Sequence, residues 1–291
     1  MKRVSKKIIL AVMMSCMLML PIQAFADAQV GDTIVTLGKN LTQVQKDQLL
    51  KEMNVAEGTE VIEITNEEEH QYLGQYVSKR LIGTRALSSS KTTIGKKGSG
   101  IVVKSHNIDW VSDEMFINAL ATAGVKDAEV YVTAPSPVSG TAALTGVIKA
   151  YEVSSNQKIP EEVKQAANEE MVTAAKLGDQ IGTDEASALM TQIKEEISKN
   201  PPQNVEEVQS IVEQTSKDLN IELTEAQQQS LVDLFNKLKD LNINWDAVGD
   251  QLTNAKDKLT EFLSSEEGQG FLDKVKEFFV AIIDWFKSLF Q

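Results

Sequence analysis

The chain has 291 residues, with 42 Asp+Glu against 29 Lys+Arg, one cysteine and a formal net charge of −13. An acid excess with few basic clusters argues against nucleic acid as a partner, because that binding rests on neutralising phosphates. One cysteine cannot build a disulfide framework, and the length suffices for one large or two ordinary domains.

The N-terminus reads as an export signal. Lys2, Arg3, Lys6 and Lys7 form a basic start, Ile8 to Leu20 an apolar run of 13 residues, and Pro21 a break. Ala24-Phe25-Ala26 then places small residues where a signal peptidase reads, so cleavage is expected between Ala26 and Asp27. A membrane span needs about 20 apolar residues, so a permanent anchor is the poorer fit. Met13-Met14-Ser15 ahead of Cys16 is a poor match to a lipidation signal. Removing residues 1–26 takes away four basic and no acidic residues, leaving 25 Lys+Arg against 42 Asp+Glu, net −17. Cys16 goes with them, so the mature protein has no thiol nucleophile. The expected location is secreted or extracytoplasmic, with membrane or wall association left open.

From residue 27 to about 156 strands and helices alternate. Val30 to Leu37 and Glu60 to Thr65 have strand-like β-branched content. Between them Leu41, Val44, Leu49, Leu50 and Met53 recur at helical spacing, opened by the capping pair Thr42 and Gln45. Asn66 with Glu69 makes a second capping pair, and Glu67-Glu68-Glu69 sits where a helix dipole favours negative charge. Strands are expected at Thr92 to Ile94 and Gly100 to Asn107, joined by the Gly-Lys-Lys-Gly turn. A helix over 112–123 leads through Gly124 to a strand over 128–133. Ala134 to Gly146 reads as a strand-to-helix turn, running into a helix over 141–153. From Pro160 onward the spacing is helical throughout, with helices expected near 160–176, 184–199, 204–219, 224–240, 245–263 and 267–290. Leu223-Thr224-x-x-Gln227 repeats the pattern of Leu41-Thr42-x-x-Gln45, a likeness too short to imply duplication. The expected fold class is α+β (or α/β). An N-terminal mixed-sheet domain spans 27–156, a helical region 157–264 and an amphipathic helix 265–291.

That last helix stands apart. Phe271, Phe278, Phe279, Ile282, Trp285, Phe286 and Leu289 lie on one side of the helical wheel, within an arc of roughly 160° at about 100° per residue. Six of the chain's 16 aromatic residues fall in the last 21 positions. Packing into the protein's own helices, a membrane interface and partner association all fit such a face. The charge-balanced polar side weakens the case for anionic lipid.

Chemistry is harder to find. The two histidines, His70 and His106, have no metal-ligand spacing. No G-x-S-x-G elbow exposes a nucleophile, and Ser88-x-x-Lys91 lies in a strand context that is wrong for a serine enzyme of that type. The glycines at 95, 98 and 100 fit no phosphate-binding loop. Neither a metal nor another cofactor is expected, and no catalytic residue is singled out. Two segments rich in small and hydroxyl residues remain, Ile82 to Ser90 and Ala134 to Gly146. Thr84, Arg85, Ser139, Gly140 and Thr141 are the candidate binding residues, with Arg85 a fork for an anion held at a helix start. The competing reading is tight backbone packing with N-capping by Ser139 or Thr141.

The chain also resembles the YpuA-like family of exported Gram-positive proteins, a family of unknown function. The resemblance lies in Gly31-Asp32-Thr33-Ile34-Val35-Thr36-Leu37-Gly38, Thr65 to Gly74, Ile82-Gly83-Thr84-Arg85, Asn118 to Val125 and Val138 to Tyr151. It implies an exported, envelope-associated protein and supplies no catalytic residues. The resulting expectation is a non-enzymatic envelope factor that binds a wall polymer, a lipid surface or a protein partner. The alternative is an envelope hydrolase with its site near Arg85 and Ser139 to Thr141.

Overall fold

The structure, a computed structural model, describes residues 29–257. The export signal expected over 1–26 and the aromatic helix expected over 267–290 both lie outside the described residues. Five strands, β1 (Thr33–Gly38), β2 (Glu60–Ile64), β3 (Ser89–Ile94), β4 (Val102–Ile108) and β5 (Ala128–Val138), form one mixed sheet in the order β2-β1-β3-β5-β4. β2 and β4 run parallel to β1 and β5 respectively, and β3 is antiparallel to both β1 and β5. Four strands therefore point the same way, and their C-terminal ends share one edge with the start of β3. The fold is α+β.

Two expectations for this half are corrected. β3 and β4 are not a hairpin across the Gly-Lys-Lys-Gly turn, because β5 inserts between them and pairs with both. β5 also runs straight through Pro135 and Pro137 to Val138, where a turn was expected. The irregular register near His106 and Ile108 lets β4 accommodate the proline-bearing stretch, as bulges commonly do.

Helices α1 (Gln43–Glu52), α2 (Asn66–Leu73), the short α3 (Lys79–Ile82), α4 (Asp113–Thr122) and α5 (Thr141–Ser155) surround the sheet. α1 starts on the capping box of Thr42 and Gln45, and its Leu49, with Met53 at its C-terminal cap, clusters with Val35 and Leu37 of β1. α5 lies on β1 and β3 from the other face. A Cβ at Gly146 would stand 2.6 Å from Thr36 Oγ1, so only glycine permits this close approach. Beneath it, Thr36 and Ser90 share a buried hydroxyl–hydroxyl bond of 2.7 Å across the strands.

The second half is helical, with α6 (Glu161–Ile181), α7 (Thr183–Lys199), α8 (Val205–Asp218), α9 (Glu225–Asp240) and α10 (Trp245–Gln251). α9 starts on a second Thr/Gln capping box, Thr224 and Gln227. The helix expected over 245–263 is interrupted after Gln251. One apolar core runs through both halves, from Val103, Val130 and Leu144 to Met171, Leu189, Phe235 and Val248. The α10 end returns to the sheet, where Gln251 Oε1 accepts from Asp127 N at 2.7 Å and Asn254 Nδ2 donates to Ile101 O at 3.0 Å. A buried charge fastens the helices to one another. Lys194 Nζ, 0 % exposed, donates to Glu170 Oε1 (2.8 Å), Thr122 Oγ1 (2.7 Å) and Asn118 O (2.5 Å), so α4, α6 and α7 meet at one ammonium.

Candidate functional site

The site begins with how α2 starts. Thr65, in extended conformation, caps the helix and Glu68 returns the bond, so the capping box is Thr65/Glu68 rather than Asn66/Glu69. The one-residue difference has a consequence. Glu68 is held at the helix start, whereas Glu69 turns inward and is 2 % exposed. Its carboxylate accepts from Asn66 Nδ2 at 2.9 Å and from Thr141 Oγ1 at 3.4 Å. Burial without a cation pushes its pKa up to about 7, with those two hydrogen bonds acting in the opposite direction.

Glu69 forms the floor of a cleft of about 440 Å³ at the C-terminal edge of the sheet. The walls are Arg80 and Ile82 of α3, Arg85, Leu87 and Ser88 ahead of β3, and Asp109 and Trp110 after β4. Val138, Ser139, Gly140 and Thr141 complete it between β5 and α5. In open α/β sheets this edge is the usual place for ligands. The two hydroxyl-rich segments thus converge on one concavity. Of the candidate residues, Arg85, Ser139, Gly140 and Thr141 line it, whereas Thr84 is exposed and does not.

Each wall has a local cause. Asn40 accepts from Arg85 Nη2 through its carbonyl (3.1 Å) and from Ala86 N through its side chain (2.9 Å), which sets the Arg85 segment against the end of β1. His70 Nε2 donates to Gly83 O at 3.1 Å, tying α2 to the same segment. Gly140 takes φ +90°, and a Cβ there would sit 2.6 Å from Ile108 Cγ2. The β5–α5 junction is therefore a glycine position, and Gly140 caps α5 with no side-chain hydrogen bond. N-capping by Ser139 or Thr141 is not what these hydroxyls do. Ser139 Oγ and Thr141 Oγ1 lie 3.2 Å apart, forming a chain from the cleft to Glu69.

The cleft can therefore present two guanidinium groups and the positive end of a 15-residue helix to an anion. Glu69 is half protonated near neutrality, which makes the cleft's charge depend on pH. Glu69, Arg80, Asp109 and Trp110 were not singled out from sequence. The first was concealed by the competing capping signal, and the others lie outside the hydroxyl-rich segments.

The other histidine serves elsewhere. His106 lies within β4, and its Nδ1 donates to Glu52 Oε1 at 3.0 Å, an atom that also accepts from Thr133 Oγ1 and Tyr131 OH. Although burial works against it, these bonds from Thr133, His106 and Tyr131 hold the Glu52 carboxyl below its usual value. Among the described residues no cluster of three or more His, Cys, Asp or Glu could hold a metal, and no helix is long and apolar enough to cross a membrane.

Comparison with known proteins gives a family and no activity. The family described as "Protein of unknown function (DUF1002)" matches residues 37–255. The "Uncharacterized protein YpuA" of Bacillus subtilis (strain 168) is 54% identical over 276 residues, which covers 94% of this chain and 95% of that protein. No solved structure matches.

Proposed function

This chain belongs to the DUF1002 family, and from that premise we propose that it is an exported envelope factor whose cleft binds an anionic group of a wall polymer. The observation that carries this reading is the convergence of Arg80, Arg85 and the start of α5 on one concavity. Two guanidinium groups and a capless helix start are suited to phosphate or carboxylate oxygens. The export signal supports the location, and an overall net charge of −13 gives the two cleft arginines a role distinct from general surface attraction.

The test is co-sedimentation of the full chain with purified wall sacculi, with and without their phosphate-containing polymers. The expected result is salt-sensitive binding that is reduced about tenfold or more in Arg80→Ala/Arg85→Ala, the order of magnitude of one charge-assisted hydrogen bond. Equal binding by the double variant would remove the cleft from the account. Loss of binding on stripping phosphate assigns that group; retention assigns the peptide carboxylates.

A second reading has one specific observation in its favour. The Ser139–Thr141–Glu69 chain places a carboxyl with pKa about 7 behind two hydroxyls at the cleft floor, which is the range for a general acid or base at neutral pH. A hydrolase would release soluble fragments from sacculi, and Glu69→Gln would abolish that release while leaving binding in place.

A further inference from the structure

At the edge of the sheet opposite the cleft, where β5 begins, lies a second cavity, of about 220 Å³, between the ends of α4 and α5 and the start of α10. Val125, Ile159, Val163, Ile243 and Val248 give it apolar walls that belong to the core or pack against it. The charged residues that line it are Lys126 and Lys158, and among the described residues no Asp or Glu does so. An all-cationic lining stands out in a chain of net charge −13. Both lysines are exposed, and neither makes an ion pair or a side-chain hydrogen bond among the described residues. Asp127, next in sequence to Lys126, turns its carboxylate to Gly98 N (2.9 Å) and Gly100 N (3.1 Å) instead.

Two further groups add donors. Gln251 lines the cavity and is 6 % exposed. Its Oε1 accepts from Asp127 N at 2.7 Å, which fixes the orientation of the amide, because an N–H needs an oxygen there. Nε2 is left as a donor, and it is not one of the unpartnered atoms closed to water. Tyr151 also lines the cavity, and burial pushes its phenol up, so it remains a hydroxyl at neutral pH. Apolar walls with a few polar groups at one place are the usual build of a small-molecule site. Here the charged groups are of one sign and the buried amide offers an N–H. We infer that this cavity binds an amphiphilic carboxylate, a medium-chain fatty acid or a molecule of like chemistry. Lys126, Lys158 and Gln251 Nε2 take the carboxylate, and the valines take the apolar body. A cavity of ~150 Å³ accommodates a benzene ring, so this one suits a short alkyl chain or a single ring. The site is independent of the anion cleft, and no covalent step is involved.

Calorimetric titration of the full chain with octanoate, octylamine and acetate tests it. The expected result is saturable one-site binding of octanoate with a negative heat-capacity change, the mark of apolar burial. Octylamine should give no saturable heat, and acetate should bind at least about tenfold more weakly, since one methyl group buries little apolar surface. Lys126→Gln/Lys158→Gln should weaken octanoate about tenfold or more, the scale of one charge-assisted hydrogen bond. Both lysines are exposed, so this variant should melt as the parent does. Gln251→Glu keeps the acceptor for Asp127 N, replaces the donor by a negative oxygen and should abolish octanoate binding. Arg85→Ala should bind octanoate as the parent does, which separates failure of this site from failure of the cleft. No saturable heat with octanoate, equal binding of octylamine or acetate, or unchanged binding in both cavity variants would overturn the assignment.

Discussion

Two glutamates are buried to the same degree in this protein, and they do opposite things. Glu170 is 0 % exposed and Glu69 2 %. Glu170 accepts from Lys194 and Thr122, and Lys194 spends its three donors on Glu170, Thr122 and Asn118, so the network closes on itself. Glu69 meets only Asn66 and Thr141, with no cation, and stands at the floor of a cleft. The first arrangement fixes how three helices meet. The second retains a carboxyl in a costly place with lone pairs unspent, which is how a site differs from a scaffold.

The largest effect expected from this contrast is at the closed network. Lys194→Met leaves Glu170 buried without its cation and should destabilise by about 3–5 kcal/mol, whereas Lys194→Met/Glu170→Leu should recover most of that. Urea unfolding of both variants checks it, and equal losses in the two would mean the charge pair is not what holds α6 to α7.

Glu69→Gln should have the opposite sign. A carboxyl whose folded pKa is about 7 binds more protons in the folded than in the unfolded state between about 4.5 and 7. Its contribution to stability is therefore fullest below about pH 4.5 and is lost as pH rises through 7. Measured at pH 8 and again at pH 4.5, the variant should gain roughly 3 kcal/mol over the parent at the higher pH and close to nothing at the lower. A pH-independent difference would show that burial is not what perturbs Glu69.

Smaller effects separate capping from site. Thr224→Ala, at the start of α9, should cost about 1 kcal/mol, visible as a lower midpoint in thermal unfolding with binding unchanged. Arg85→Ala should shift stability by no more than about 0.5 kcal/mol, as for an exposed side chain, while weakening wall-polymer binding. A large stability loss there would make Arg85 part of the scaffold.

Much of the framework could be read from local signals. The capping boxes at Thr42/Gln45 and Thr224/Gln227, the Gly140 break and the helical spacing after Pro160 each act within a few residues. Arg85, Ser139, Gly140 and Thr141 stood out for similar local reasons: a cation beside small residues, and hydroxyls beside a glycine. Other features depend on distant partners. The insertion of β5 between β3 and β4 is decided by pairing across about 40 residues of sequence, which no local pattern carries. Glu69 was misassigned because Thr65/Glu68 and Asn66/Glu69 both satisfy the capping signature, and only the extended backbone at Thr65 selects between them. Thr84 is exposed and does not line the cleft, and it shares the small, polar character of its neighbours, so no local signal separates it from Ser139 or Thr141.

If the cleft binds an anion under the control of Glu69, its affinity must change as that carboxyl titrates. The affinity of the full chain for a phosphate-bearing wall polymer, measured from pH 6 to pH 8 beside Glu69→Gln, decides this. The account predicts that the parent's affinity falls as pH rises through about 7, because a second negative charge joins Asp109 in the cleft, while the variant's affinity stays level. Parallel curves for the two proteins would contradict it.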